Sequence, residues 1–313
     1  MNEIRESKKE VLLLDAGDLF FKKYAQPAQD QELKMATAKA HLMLESLNVM
    51  GYDALGIGDD DLTLGKEFLM DLSKKARFPF LSSNIIDGES GKPMFQPFLI
   101  KEVNGFKVGI FSLLSPDSFS GPSDPRLKGL TLQNPIETAQ RIARDLKAKT
   151  DLIILLSHLS YPKDVEMAQT VPGIHIIVGS HTGVNLIYPQ IVKDTVILHT
   201  QPKGMYAGRL DLTFYNGESG FYNVATKRSF ENNLAKSKLQ LNAKETSQTQ
   251  KEMYQKVIGD LQRSLKQLEG KNEFSNMLIP LTEQIKDDPQ ISKLVETYKT
   301  NFPEPDKSSP PKP

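Results

Sequence analysis

The chain has 313 residues, of which 39% are hydrophobic and 25% are charged, a composition typical of globular domains with a sizeable core. Lysine plus arginine equals aspartate plus glutamate at 39 each, so the charge balance gives no argument for binding nucleic acid or an anionic membrane. Cysteine is absent, which excludes disulfides, thiolate metal sites and cysteine nucleophiles.

Export and membrane signals are missing from the sequence as given. The first ten residues are mostly polar and charged and contain no apolar core of a signal peptide. No apolar run approaches the roughly 20 residues that a membrane-spanning helix needs. We therefore expect neither a signal peptide nor a membrane span in this sequence.

Short apolar runs alternate with amphipathic stretches in the first part of the chain, which is the pattern of a layered α/β domain. Residues 11–14 and 54–57 are predicted buried strands, and 32–50 is a predicted helix between them. Asn104-Gly105 separates two β-rich runs, and this dipeptide predicts a hairpin turn.

A second set of elements follows in the middle of the chain. Asn134-Pro135-Ile136-Glu137 combines a capping residue, a proline at the first helical position and an acidic third position, so a helix is predicted from there to about residue 149. Two apolar runs then end at His158 and His181, and late strands are predicted at 196–200 and 208–214. We expect this domain to span 1–228.

The composition becomes polar and rich in lysine, glutamine and glutamate after residue 228, which predicts a helical extension over 229–302. One helix, over about 245–269, has an apolar stripe at alternating spacings of four and three. Two heptads are too few to establish a coiled coil, so packing on its own domain and binding of a protein partner both remain open. The Pro/Lys/Ser tail, 303–313, is predicted to be disordered. The stripe consists of Tyr254, Ile258, Leu261, Leu265 and Leu268.

Four segments place aspartate or histidine directly after a predicted strand. Taken singly, such an aspartate is more often a turn or cap residue, and a lone histidine is more often structural. Together they fit a divalent metal site, because ligands from the ends of neighbouring strands converge at one edge of a sheet. The four segments are Leu14-Asp15-Ala16-Gly17-Asp18, Gly58-Asp59-Asp60-Asp61, Ser157-His158 and Gly179-Ser180-His181-Thr182-Gly183.

Other residues of the same types are interpreted differently. His41 lies within a predicted helix and His175 within a predicted strand, and both are interpreted as structural. His199, at a strand end, is a weaker candidate for the edge of the site. Ser157 and Ser180 flank the candidate ligands without a Gly-x-Ser-x-Gly elbow, which argues against a serine hydrolase.

The order of these motifs resembles the 5'-nucleotidase branch of the calcineurin-like metallophosphatases over about 11–214. The resemblance implies an α/β fold, a four-layer α/β/β/α sandwich, here with a helical C-terminal extension. It also implies a centre of two metal ions that activates water to attack a phosphate ester. The motifs are Leu-Leu-Leu-Asp-Ala-Gly-Asp18, Gly58-Asp59, Leu81-Ser-Ser-Asn84, Leu-Ser-His158 and Val-Gly-Ser-His181-Thr.

The resemblance also implies roles for the candidate ligands. Asp18 corresponds to the carboxylate that bridges the two metals, and His158 and His181 correspond to ligands of the second metal. Asp59 stands where the family has asparagine, and a carboxylate oxygen can replace an amide oxygen as a ligand. Because most ligands of the family's other metal have no counterpart in this sequence, we expect one divalent ion rather than two, of Mn, Zn, Fe or Ca.

Several positions depart from the family pattern. The family's Asp-x-His motif, which precedes the strand at 11–14, has no counterpart in the first ten residues. Gly183 replaces a further ligand, Asp60 replaces the catalytic histidine, and Thr63 replaces its carboxylate partner. An aspartate has no imidazole to donate to a transferring phosphoryl group, and its negative charge would repel that group. Asp60 is therefore a catalytic candidate only in another role, as a base or as an additional metal ligand.

Three interpretations remain open. The reading frame could begin too late, in which case an export signal and the missing strand precede Met1. The chain could instead be a diverged one-metal phosphoesterase, or a non-catalytic module that binds a metal or a partner. A phosphate ester or nucleotide is the expected ligand, and the resemblance implies a periplasmic or other extracytoplasmic location.

Overall fold

The computed structural model describes residues 2–7, 10–21, 30–181, 184–200, 204–215 and 220–303. Within these ranges the α-helices are α1 (Asn2–Ser7), α2 (Asp30–Met50), α3 (Gly65–Ser73), α4 (Pro135–Lys147), α5 (Tyr161–Thr170), α6 (Val224–Leu241), α7 (Gln248–Lys266) and α8 (Pro289–Asn301). The strands are β1 (Leu14–Asp15), β2 (Ala54–Gly56), β3 (Phe80–Leu81), β4 (Ile85–Asp87), β5 (Phe98–Val103), β6 (Phe106–Leu114), β7 (Leu130–Leu132), β8 (Leu152–His158), β9 (Ile176–Gly179), β10 (Gln190–Val192), β11 (Thr195–His199), β12 (Tyr206–Thr213), β13 (Phe221–Asn223) and β14 (Asn272–Pro280).

Two sheets carry the strand ends that matter for the site. The first has the order β1-β2-β3 and is parallel, and the second has the order β10-β11-β9-β8-β6-β5. The second sheet is parallel through β11, β9, β8 and β6, and antiparallel at both edges. Because parallel strands end at the same edge of a sheet, the loops after β8 and β9 are neighbours.

The two sheets pack face to face with helices on their outer sides, which confirms the predicted four-layer sandwich. Strand β8 shows the arrangement, because every one of its residues is buried. Ile154 and Leu156 point into the core between the sheets, whereas Ile153 and Leu155 pack into the core beneath α4 and α5. A strand covered on both faces needs a continuous apolar sequence, and the run before His158 is of this kind.

Local signals in the sequence place two further elements. Asn134 caps α4, since its side-chain oxygen accepts hydrogen bonds from the backbone N–H groups of Ile136 and Glu137. Asn104 and Gly105 join β5 to β6 with φ angles of 50° and 81°, and the mirror-image turn of a two-residue hairpin requires positive values at both positions.

The C-terminal region, expected to be helical, also supplies a strand. Strand β14 pairs antiparallel with β12 and parallel with β13, and its Phe274 is buried in the core between the sheets. Helix α8 packs against α2. The expected boundary at residue 228 falls inside α6. The region after this boundary is therefore partly built into the sandwich, because β14 needs β12 and β13 to satisfy its backbone hydrogen bonds.

The apolar stripe of α7 contacts the rest of the chain. Four of its five residues lie in α7 and Leu268 lies two residues beyond its end; all five are half-buried, and α7 packs against α6. The predicted tail falls outside the described residues from residue 304 onward.

Candidate metal centre

The loops that follow β1, β2 and β9 and the last residue of β8 bring together the four predicted ligands. Asp18, Asp59, His158 and His181 each offer one ligand atom, and these atoms all lie within 4.8 Å of one another. His158 Nε2 lies 3.1 Å from Asp18 Oδ2 and 3.2 Å from Asp59 Oδ1, and His181 Nδ1 lies 3.3 Å from the same Asp59 oxygen. The side chains of Asp18 and His181 are 27% and 30% exposed, so the cluster opens to solvent on their side.

The backbone at this cluster is held in unusual conformations. Asp18 and His181 have φ angles of 63° and 77°, in the left-handed region that costs a non-glycine residue about 1–2 kcal/mol. Gly17 and Gly58 allow the two loops to touch, since a Cβ at Gly17 would lie 2.3 Å from the Gly58 nitrogen. Residues in such conformations are concentrated at functional sites, where the surrounding structure compensates for the strain.

Asp61 fastens the loop after β1 to the loop after β2. Its side chain is fully buried and accepts four backbone hydrogen bonds. Oδ1 accepts from Leu19 at 3.0 Å and Phe20 at 3.1 Å, whereas Oδ2 accepts from Asp18 and Gly58, each at 2.9 Å. Burial raises the pKa of Asp61, and the charge of Asp18 adds to the effect. No role for Asp61 was predicted from the sequence.

The ring of His158 is oriented as a metal ligand. Its Nδ1 lies 2.9 Å from the carbonyl oxygen of Ala16 and 2.8 Å from Ser180 Oγ, so this nitrogen carries the proton that is donated to the carbonyl. Nε2 then faces the oxygens of Asp18 and Asp59. A hydrogen bond of this kind to the far ring nitrogen fixes the tautomer of most histidine ligands.

The pKa shifts reflect the concentration of charge at the cluster. Burial by itself lowers the pKa of His158, but hydrogen bonds to Asp18 and Asp59 outweigh it and raise the pKa to about 10. Burial raises the pKa of Asp59, whereas hydrogen bonds from His158 and His181 hold it well below its usual range. Two carboxylate oxygens facing one ring nitrogen need a cation between them, either a proton or a metal ion.

The donor set fits a divalent ion. It provides two carboxylates and two imidazoles and no thiolate, which suits a hard or borderline metal such as Mn²⁺, Fe²⁺ or Zn²⁺. Asp18 has a second constraint, since its Oδ1 accepts a hydrogen bond of 2.9 Å from the backbone N–H of Asp60. Oδ2 is thereby directed toward His158.

A buried arginine lies beside the cluster and was not predicted from the sequence. Arg126 lies in a short 3-10 turn between β6 and β7, and its guanidinium nitrogen Nη1 is 2.6 Å from Asp59 Oδ2. Asp124 caps this turn and forms a two-pronged ion pair with the same guanidinium. In the sequence, Asp124-Pro125-Arg126 signals only a turn.

Two of the positions that depart from the family pattern, Asp60 and Thr63, lie in or next to the turn that follows the ligand Asp59. The Asp60 carboxylate is 14% exposed, and its Oδ1 is 3.5 Å from Arg126 Nη1. The Thr63 hydroxyl donates to the backbone carbonyl of Asp60 at 2.6 Å. Gly183 lies outside the described residues.

The remaining histidines are engaged elsewhere. His175 accepts a hydrogen bond from the backbone N–H of Ile153, and His41 packs edge-on against Phe68. His199, the weaker candidate for the site edge, forms a buried hydrogen bond of 2.7 Å with Asp164 and is not among the four converging ligands. All five histidines of the chain are thereby placed.

Comparison with known proteins supports the predicted relationship, although no protein-family model matches the chain. A 5'-nucleotidase of Vibrio cholerae is 29% identical over 239 residues, which cover 66% of this chain and 42% of that protein. A 5'-nucleotidase of Diplobatis ommata is 30% identical over 244 residues, 70% of this chain and 40% of that protein. The trifunctional nucleotide phosphoesterase protein YfkN of Bacillus subtilis is 25% identical over 252 residues, 68% of this chain and 16% of that protein. The chain thus spans less than half the length of these relatives.

Solved structures with the same fold cover nearly the whole chain. The sulfate thiohydrolase SoxB of Thermus thermophilus has a TM-score of 0.67 at 19% identity, over 96% of this chain and 46% of that one. The calcineurin-like phosphoesterase YfkN of Bacillus subtilis has a TM-score of 0.61 at 18% identity, over 96% of this chain and 86% of that one. Among the described residues, no helix combines the length and apolar character that crossing a bilayer requires.

Proposed function

Because the homologues of this chain are 5'-nucleotidases and calcineurin-like phosphoesterases, we propose that it is a diverged metal-dependent phosphoesterase. In this proposal one divalent ion binds through Asp18, Asp59, His158 and His181, and the substrate is a phosphate ester of the nucleotide type. The observation that carries the proposal is the convergence of the four ligand atoms within 4.8 Å. The four side chains come from four different strand ends, and a purely structural role would not require all of them to meet.

The surroundings of the cluster support this assignment. A divalent ion supplies charge that polarises a phosphate ester and lowers the pKa of water. Asp59 and His158 form the buried side of the cluster, at 8% and 0% side-chain exposure, and fix its geometry. Asp18 and His181 form the open side, which is where an anionic ester would approach. The backbone N–H of Asp60 donates to Asp18 Oδ1, and Asp60 is the candidate general base.

A second candidate function is a non-catalytic module that binds metal on the same fold. The observation that favours it is the set of side chains beside the four ligands. None of the other three histidines of the chain is among the converging side chains, and Asp60 adds a further carboxylate next to the ligands Asp18 and Asp59. An anion at that position opposes phosphoryl transfer unless a cation compensates it.

Metal content and phosphatase activity, measured on the same preparation, distinguish the two. We expect the purified chain to bind Mn²⁺ or Zn²⁺ and to hydrolyse a nitrophenyl phosphate ester when either metal is supplied. Asp18→Ala should abolish both, whereas the matched control Asp71→Ala, an exposed aspartate paired with Lys74, should change neither. Metal binding without turnover supports the binding module, and absence of both refutes the metal centre.

We also propose an extracytoplasmic location, which follows from the likeness to 5'-nucleotidases. The measurement is fractionation of cells that express the native gene, with detection by an antibody to this chain. Recovery in the cytoplasmic fraction alone would contradict the proposal.

A further inference from the structure

Arg126 stands out because all of its hydrogen-bonding capacity is used next to the candidate metal centre. A guanidinium has five N–H donors, and here each has an acceptor. Nε donates to Asp124 Oδ1 at 3.0 Å, and Nη2 donates to Asp124 Oδ2 at 2.9 Å and to the Ser118 carbonyl at 3.1 Å. Nη1 contacts Asp59 Oδ2 at 2.6 Å and Asp60 Oδ1 at 3.5 Å. No donor is left over for a substrate phosphate.

The guanidinium is buried and fixed in place. Arg126 is 7% exposed, Asp124 is 4% exposed, and the ring of Phe119 lies 4.7 Å from the guanidinium carbon. A buried charge of this kind is stable only when its partners remain in position. Arg126 therefore links the turn between β6 and β7 to the loop after β2, across 67 residues of sequence.

The two carboxylate oxygens of Asp59 face different partners, one the histidine ligands and the other Arg126. Oδ1 faces the ring nitrogens of His158 and His181, at 3.2 and 3.3 Å, and Oδ2 faces Arg126. Only one oxygen is thus free to act as a ligand. An asparagine at this position could not serve both sides, because its amide has one acceptor and its NH₂ group would oppose either the arginine or the metal.

We propose that Arg126 is a positioning residue for the metal centre, which holds Asp59 as a single-oxygen ligand and offsets its charge. This inference rests on the metal site proposed above. It adds that the aspartate at position 59 and the arginine at position 126 form one functional unit, so that neither residue can be changed alone. Arg126 does not bind substrate in this proposal.

A double-mutant cycle on the full chain tests the coupling, with Mn²⁺ affinity measured by calorimetry. Asp59→Asn and Arg126→Gln should each weaken Mn²⁺ binding by about tenfold or more, the scale expected when groups that orient metal ligands are altered. The double variant should recover to within about threefold of the wild type, because the carbonyl oxygen introduced by Arg126→Gln can accept from the NH₂ group introduced by Asp59→Asn. Arg209→Gln, which removes a two-pronged pair with Asp211 on β12, is the matched control and should leave Mn²⁺ affinity unchanged.

The outcomes separate this inference from the metal site on which it rests. If the wild-type chain binds no Mn²⁺, the site itself is refuted and the inference fails with it. If it binds Mn²⁺ and a folded Arg126→Gln variant binds equally well, or the double variant is no better than the singles, the coupling is refuted while the site stands. If Arg126→Gln does not fold, Asp59→Asn decides alone, since it keeps the arginine; unchanged affinity in that variant would overturn the inference.

Discussion

Replacing Asp61 should destabilise the protein more than any other single carboxylate change at the site. The side chain is fully buried and accepts four backbone hydrogen bonds, two of which, from Phe20 and Gly58, are themselves buried. Each buried donor left without an acceptor costs about 1–3 kcal/mol. For Asp61→Ala these two donors alone give about 2–6 kcal/mol, a large part of the roughly 5–15 kcal/mol that stabilises a typical domain.

The same geometry predicts a graded series. Asp61→Asn keeps one acceptor oxygen, so it should retain one pair of hydrogen bonds and oppose the other pair with its NH₂ group. The free energy of unfolding should therefore decrease from wild type to Asn to Ala. Urea unfolding followed by circular dichroism measures this order, with Asp71→Ala as an exposed control. A value for Asp61→Ala within about 1 kcal/mol of the wild type would refute the reasoning, because it would mean that the backbone donors find other acceptors.

Three further changes have expected outcomes. Gly58→Ala would place a Cβ 2.2 Å from Asp18 Oδ1, so it should destabilise by about 1–3 kcal/mol and abolish any metal-induced rise in Tm. The control Gly259→Ala, in an uncrowded position of α7, should stabilise by about 0.5–1 kcal/mol; equal effects of the two would contradict the packing argument. Burial raises the pKa of Asp164, so the folded state binds its proton more tightly than the unfolded chain, and stability falls as pH rises through the raised pKa. As pH rises above the ordinary aspartate pKa of 3.8, the free energy of unfolding of the permanently neutral Asp164→Asn variant should increase relative to that of the wild type, as measured by urea unfolding. Parallel pH dependences of this free energy in the two proteins would argue against the shift. Leu155→Ala, in the core beneath α4 and α5, should cost about 2–5 kcal/mol in the same assay, and a cost below about 1 kcal/mol would contradict its placement there.

The sequence was informative about the ligands because of where they occur. Asp18, Asp59, His158 and His181 each follow an apolar run, and the ends of parallel strands meet at one edge of a sheet. The apolar runs therefore indicated which segments end near the site, and the resemblance to the metallophosphatases selected Asp18 and Asp59 among the aspartates of those segments. Their spacing of a few ångströms could be anticipated from the chemistry of metal ligation alone.

Arg126 could not be found in the same way. It lies in an irregular turn, and its ion pair with Asp59 depends on how the loop between β6 and β7 folds back over the site. A turn motif such as Asp124-Pro125-Arg126 predicts local geometry, while the partner of the arginine is set by tertiary packing. Asp61 was missed for a related reason, since the four hydrogen bonds that it accepts become visible only when two loops are in contact.

The strand at the C-terminal end shows the limit of composition as a guide. Residues 272–280 lie between two polar, helix-rich stretches, and the window-averaged composition favours helix. Strand β14 forms because β12 and β13 offer backbone groups on both sides of it. Pairing partners that lie about 50 residues or more away override local propensity, as is usual for strands.

The stoichiometry of metal binding tests the central claim most directly. Mn²⁺ is titrated by calorimetry into the metal-free chain, in parallel with His158→Ala and with His41→Ala as a control outside the cluster. We predict one ion per chain for the wild type and the control, and no binding for His158→Ala with unchanged secondary structure. Binding that survives in His158→Ala, or its absence from the wild type, would contradict the assignment of this cluster as a metal centre.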